Sequence, residues 1–336
     1  MTEQGSRTVA SRRIRNLGIA VVAFCLLYTG AWFYAADQIK KRLAATFEAQ
    51  TAAGQSIECG NMRIKGFPFR LELFCDNPGL ANLEGGGSVE VAALRSAAQV
   101  YAPFHIVWEM DGPLDATLAN GEKLQASWTS FQSSLQVKKG GLERSSMASD
   151  GLQVTIPVGA PDALSLKAGH GEAHVRQNGE DLDAALLLET VSLKLPGQTL
   201  ASLPAFAASI DATAAGKAGA LDGRIKGPDL LHPAKGEIRK LAVDFGDGRV
   251  ATLSGPVEVD EAGLISGKLA LQAENFAAWG PMLAAALPDA ADNIQTAVGA
   301  LKAMADDKGT VRVNLVLDKG QVMLGFIPLG IEIPPV

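Results

Sequence analysis

From Gln55 to the C-terminus, apolar and polar residues alternate with a period of two, and this restricts most of the chain to strands. Phe131, Ser133, Leu135 and Val137 alternate with Gln132, Ser134 and Gln136. Leu152, Val154, Ile156 and Val158 alternate with Gln153, Thr155 and Pro157. Ile265, Leu269, Leu271 and Ala273 stand against Ser266, Lys268, Gln272 and Glu274, and Val311, Val313, Leu315 and Leu317 repeat the pattern. Successive side chains of a strand point to opposite faces, so each stretch has one apolar and one wet face. Turn dipeptides punctuate them: Asn178-Gly179, Asp222-Gly223, Asp247-Gly248, Ala262-Gly263 and Lys319-Gly320. Short strands joined by tight turns, without long helices between them, pair antiparallel. The expected body, residues 55–336, is one mainly β domain, built as a curved sheet or as a sandwich. One helical interruption is expected near 276–305, where alanine dominates, Pro281 and Pro288 break the run, and Ile294, Val298, Leu301 and Ala305 recur at helical spacing. A shorter helical turn is expected near Leu200–Ala208.

The N-terminus follows a different rule. Leu17 to Ala36 carries no charge over twenty residues. At about 1.5 Å per residue such a helix spans about 30 Å, the thickness of a bilayer's hydrocarbon core. A secretory signal has a shorter apolar region and ends in small residues. This one ends in Trp32-Phe33-Tyr34, which suits an interfacial aromatic belt. Arg7, Arg12, Arg13 and Arg15 precede it and would hold residues 1–16 in the cytoplasm. The segment is therefore expected to be a retained signal anchor. Ser11-Arg12-Arg13 is followed by Ile14-Arg15-Asn16, without the apolar pair of a twin-arginine signal, so the arginines read as orienting charges. Cys25 sits inside the span as a small hydrophobe. Residues 37–54 continue as a helix with Ile39, Leu43 and Phe47 on one face and a stop at Gly54. Lys40, Lys41 and Arg42 on its other faces either approach lipid headgroups or belong to a plain stalk.

Charge narrows the partners. The formal net charge is −6. Four of the 30 basic residues, against one of the 36 acidic ones, lie in the first 36 positions, so the rest of the chain carries about −9. Nucleic-acid phosphates require clustered Lys and Arg, and no nucleic-acid partner is expected.

Cys59 and Cys75 bracket Gly66-Phe67-Pro68, with Phe67 at their midpoint. A hairpin turning there sets the two opposite each other, close enough for a disulfide. Phe69, Leu71 and Leu73 would share a strand face with Cys75. Outside the membrane, in an oxidising space, the two thiols are expected to pair. Redox-active dithiols favour Cys-x-x-Cys spacing instead.

Catalytic motifs are missing. The chain has no Gly-x-Ser-x-Gly elbow, no phosphate-binding P-loop and no Gly-x-Gly-x-x-Gly between a strand and a helix. Gly85-Gly86-Gly87 precedes a strand, so no helix N-terminus is available there for phosphate. His170, Glu172 and His174 would fall on one face of a strand, which makes them the single metal-capable cluster in the sequence. Flanking glycines and the following Asn178-Gly179 turn favour a solvated strand face instead. No catalytic residue, cofactor or metal is expected.

Ile64-Lys65-Gly66-Phe67-Pro68-Phe69-Arg70-Leu71-Glu72-Leu73, with Cys75, resembles the signature of an alphaproteobacterial family, domain of unknown function 2125. The closing Gly320-Gln321-Val322-Met323-Leu324-Gly325-Phe326-Ile327-Pro328-Leu329-Gly330 is similar to that family's C-terminal motif. The resemblance implies a Gram-negative inner-membrane protein with its bulk in the periplasm, and it brings no catalytic residues. Ser254–Asp260 and Gly263–Leu269 resemble, more loosely, the strand-turn-strand style of AsmA-like envelope proteins.

Two functions follow as expectations. A tethered sheet whose apolar face is not closed off would hold lipid-like molecules during envelope maintenance, with Leu186, Leu188, Leu269, Leu271, Val313 and Leu315 as candidate contacts. Otherwise the protein is a non-catalytic scaffold of the cell envelope that engages another envelope protein through its edge strands.

Overall fold

A computed structural model describes residues 4–52, 54–82, 86–118, 120–138, 141–157, 163–194, 203–225, 232–286 and 291–336. Helix α1 runs unbroken from Gln4 to Ala52. Gly54, with φ of +97°, reverses the chain, and the Gly54 and Gln55 amides donate back to the carbonyls of Thr51 and Gln50. Strand β1 (Ser56–Lys65) then returns alongside α1. Its ten residues cover about 33 Å. The twenty helical steps from Trp32 to Ala52 cover about 30 Å. The far end of β1 therefore arrives level with the end of the uncharged run. Trp32 and Ala36 are buried there, and Ile39, Leu43 and Phe47 are half-buried along the same stripe.

The remainder is a meander. It continues through β2 (Arg70–Ala81), β3 (Ser88–Gln99), β4 (Ala102–Thr117), β5 (Lys123–Ser127), β6 (Ser130–Lys138), β7 (Gly141–Pro157) and β8 (Ala163–Asn178). β9 (Asp181–Lys194), β10 (Phe206–Ala214), β11 (Ala234–Asp244), β12 (Val250–Val259) and β13 (Ile265–Ala273) follow. Two helices, α2 (Trp279–Ala286) and α3 (Ala291–Lys302), lead to β14 (Val311–Asp318), β15 (Gln321–Leu324) and β16 (Ile327–Glu332). All sixteen strands described lie in a single antiparallel sheet in chain order, except that β5 and β6 share the place between β4 and β7. The body is thus one sheet rather than two packed sheets. β1 and β16 are its edges, and a sheet this wide must twist and coil.

Burial matches a single sheet. Among the described residues sixteen apolar side chains are buried, and four of them cluster where α2 and α3 cover the sheet. There Phe276, Ala273, Val311 and Val313 pack with Trp279, Val298 and Leu301. The accessible surface, 20974 Å², far exceeds the roughly 13,000 Å² of a compact monomer of 35.0 kDa. The projecting helix and the spread single sheet both contribute to that excess.

Three details differ from the sequence expectation. Residues 203–205 are irregular and Phe206–Ala208 open β10, so this part of Leu200–Ala208 is not helical; residues 200–202 lie outside the described residues, as do Val158 and Gly85. Pro281 sits in the first turn of α2, where its missing N–H costs nothing, rather than ending a helix. The β1–β2 hairpin is centred between Pro68 and Phe69, since Ile64 pairs with Leu73 and Lys65 with Glu72. Cys59 and Cys75 are consequently not direct partners. Irregular pairing between Glu58 and Arg63, with Asn61 at φ of +49°, brings their Cα atoms to 5.2 Å, and the disulfide forms.

Candidate functional site

Residues directly opposite on antiparallel strands share a face, so the register gives the composition of each face. Starting at Met147 on β7, successive partners are Ala173, Leu186 and Ile210 on β8, β9 and β10. The line continues through Leu241, Leu253, Leu271 and Val313 on β11 to β14. In the other direction it passes through Ser133, Trp108 and Ser96 to Leu73 and Ile64. Thirteen strands thus place one residue each in this line, and none is charged. A parallel line, Gly171–Leu188–Ala208–Val243–Ala251–Ala273–Val311, is also free of charge.

Alternation would break this face in the long strands β7 to β9 without a correction. On β7 the apolar positions change from odd (Met147) to even (Leu152, Val154), and on β9 from even (Leu186, Leu188) to odd (Val191, Leu193). The changes occur at Gly151, φ +63°, and Thr190, φ +53°. Gly169, between them on β8, is where Leu166 and Ala168 give way to Gly171 and Ala173. A left-handed residue in a strand acts as a bulge and swaps the faces that follow. Aligned on three neighbouring strands, the swaps preserve pairing and keep the apolar residues on one side.

All six candidate contacts lie on this face, in two environments. Leu271, Val313 and Leu315 pack in the cluster beneath α2 and α3. Leu269 is buried beside Leu317 and Val322. Leu186, 40% exposed, and the half-buried Leu188 lie on the uncovered middle of the sheet. Exposed apolar surface on this face is therefore found at Leu186 on β9, while Ala168 and Val191 on β8 and β9 are buried and Ile238 and Leu253 on β11 and β12 pack towards Leu269.

The opposite face is polar and ion-paired. Arg95 pairs with Asp111 at 2.7 Å and Glu109 at 3.4 Å, and Arg63 pairs with Asp76 at 3.1 Å. His170 Nδ1 lies 2.7 Å from Asp150 and its Nε2 lies 3.2 Å from Glu172, whose other oxygen is 3.2 Å from His174 Nε2. Hydrogen bonding to Asp150, then to Glu172, raises the His170 pKa above its ordinary value; the His170 contact in turn lowers Asp150, and hydrogen bonds from His174 and then His170 lower Glu172. Glu172 thus bridges two imidazoles by hydrogen bonds, and among the described residues no three such groups are placed to hold a metal.

Among the described residues, Asp183 is the buried carboxylate of this face, with a side chain 6% exposed. Thr213 Oγ1 donates to it at 2.7 Å, Arg176 at 2.9 Å and Arg239 at 3.1 Å, while Arg239 also pairs with Asp211. These donors, the Thr213 hydroxyl foremost, pull its pKa down to about 2 against the opposing effect of burial. Arg144, His174, Arg176 and Arg239 line a hollow of about 600 Å³ here. This network joins β8, β9, β10 and β11. The Arg176–Asp183 part was accessible from the Asn178-Gly179 turn, which sets the two opposite; Arg239 was not, because it sits at a register shift in the β10–β11 pairing.

The profile of DUF2125, described as an uncharacterized protein conserved in bacteria, matches residues 32–332. The chain belongs to this family. The DUF2125 match takes in the hairpin with its two cysteines, the whole sheet and the last turn of the uncharged helical run. No curated protein and no solved structure matches the chain.

Proposed function

We propose that this DUF2125 protein is a non-catalytic, membrane-anchored carrier or holder of lipid-like molecules, with α1 crossing the inner membrane and the sheet in the periplasm. The helix Arg12–Ala52 is long and apolar enough to cross a bilayer. The arginines on its N-terminal side favour that end in the cytoplasm. The observation that carries the reading is the uncharged line of side chains across the sheet, exposed at Leu186 and, among the described residues, covered by α2 and α3 at its C-terminal end. Such a surface matches an acyl chain, which needs a long dry contact and no hydrogen bonds. The ion-paired opposite face keeps the sheet wetted.

The test uses the full-length chain in vesicles that contain a phospholipid with a photoreactive diazirine at the end of its acyl chain. Labelled peptides from β8 to β11 as well as from α1 are expected. Label confined to α1 would contradict the reading.

One observation favours a second reading, a structural envelope protein that recruits a partner by strand addition. Every residue of the edge strand β16 is exposed, and Phe326, Ile327, Leu329 and Ile331 present apolar surface there. Site-specific crosslinks from Leu329 to another envelope protein, with no lipid label on β8 to β11, would favour it.

A further inference from the structure

The β1–β2 tip makes contacts that locate it against the membrane. Tyr28 Oη donates to the Pro68 carbonyl at 2.6 Å, and Trp32 Nε1 donates to the Arg70 carbonyl at 3.0 Å. Phe67 meets Trp32 edge-on at 5.5 Å and stacks on Phe33 at 5.7 Å. Tyr28, Trp32 and Phe33 all belong to the uncharged run Leu17–Ala36. Tyr28 is eight residues, about 12 Å, inside its end. The helix cannot slide to lift these residues clear of lipid. Leu17 to Leu27 alone would leave eleven residues, about 17 Å, to span a core of about 30 Å.

We infer that the β1–β2 tip is inserted into the leaflet from which the sheet projects, docked on α1, with the neighbouring β3–β4 turn at the lipid surface beside it.

The tip has the chemistry for that position. Gly66-Phe67-Pro68-Phe69 carries no charge, and Lys65 and Arg70 flank it, as cations beside phosphate headgroups would. Arg70 is 3.6 Å from Glu72 and remains largely exposed. Phe69 is 66% exposed although its neighbours have an apolar surface to join. The adjacent turn adds Tyr101, 75% exposed, and Phe104, 64% exposed, three aromatic rings offered to solvent at one end of the sheet. Backbone polar groups at membrane depth must be satisfied, and here they largely are. Gly66 accepts from the Arg70 amide at 2.9 Å and Phe69 accepts from the Val100 amide at 3.0 Å. Tyr28 and Trp32 serve Pro68 and Arg70, and Pro68 has no N–H to satisfy.

This inference requires α1 to be embedded but not that lipid occupies the sheet face. It is tested with the full-length Cys25→Ala chain, whose other two cysteines are paired. Single cysteines at Leu26, Phe69, Tyr101 and Asp247 carry an environment-sensitive fluorophore, one per preparation, in phosphatidylethanolamine–phosphatidylglycerol vesicles with acyl-brominated phospholipid as quencher. Loss of emission at Phe69 and Tyr101 comparable to that at Leu26, with none at Asp247 on the far turn of β11–β12, is the expected result. The Tyr101 probe leaves the hairpin intact should Phe69→Cys disturb it. Quenching at Leu26 alone overturns the inference while leaving the anchor in place. Quenching at Asp247 as well overturns it by laying the whole sheet on the bilayer. No quenching at Leu26 overturns both the inference and the anchor.

Discussion

Asp183 shows how a single side chain ties strands that are remote in sequence. Its carboxylate receives hydrogen bonds from Arg176, Thr213 and Arg239 on three other strands. Its pKa falls from 3.8 to about 2 on folding, so the group stabilises the fold above about pH 4 and that contribution fades as pH drops towards 2. The shift corresponds to about 2–3 kcal/mol at most. Asp183→Asn should lower stability by about 1–2 kcal/mol at neutral pH in chemical denaturation, with the difference from wild type shrinking at pH 2–3. A mutant deficit that stayed constant with pH would contradict this. His170 has the opposite sign. Its raised pKa contributes stability below the ordinary histidine value, and this is lost as pH rises through the folded pKa. NMR titration should place its midpoint above the ordinary value of 6.5, and Asp150→Asn should move it back down.

At the scale of elements, the Cys59–Cys75 link closes the β1–β2 hairpin whose tip packs on α1. The loop it closes has about 17 residues, for which chain entropy gives about 3 kcal/mol. Reduction, or Cys59→Ser, should therefore lower the sheet's stability by about 2–4 kcal/mol in denaturant titrations, measured on membrane-embedded chain. An unchanged midpoint would mean that the β1–β2 hairpin is held by α1 and β3 alone. Gly255 gives a second check. Its φ is +140°, and a Cβ there would lie 2.3 Å from the Lys268 carbonyl oxygen. Gly255→Ala should destabilise β12–β13 by more than about 1 kcal/mol, whereas Gly246→Ala, in an open turn, should cost less.

These elements also show what the sequence could convey. Strands, turns, the long apolar helix and the cysteine pair were legible, because alternation, turn dipeptides and an uncharged run each report a local property. The face swaps at Gly151 and Thr190 were not. A threonine with positive φ gives no compositional signal, and its role depends on matching changes in neighbouring strands. The hairpin centre was displaced for a similar reason: irregular pairing near Asn61 makes the midpoint of two cysteines a poor measure of register. The landing of α2 and α3 on the sheet was equally hidden, since their apolar stripe shows that they pack but not where.

At the scale of the whole molecule, all these features converge on one continuous sheet that follows a long apolar helix and is covered over β13 and β14 by α2 and α3. A sandwich would have hidden its apolar residues; this sheet leaves Leu186 open and buries Leu269 and Val313. The central claim is that the open stretch holds acyl chains. The most direct measurement places a photoreactive benzoylphenylalanine at Leu186, and in a parallel preparation at Leu187 on the ion-paired face, in the full-length chain within native membranes. Irradiation followed by intact-mass analysis should show a phospholipid-sized or fatty-acid-sized adduct at position 186 and none at 187. Adducts with protein at 186, equal lipid adducts at both positions, or none at either would contradict it.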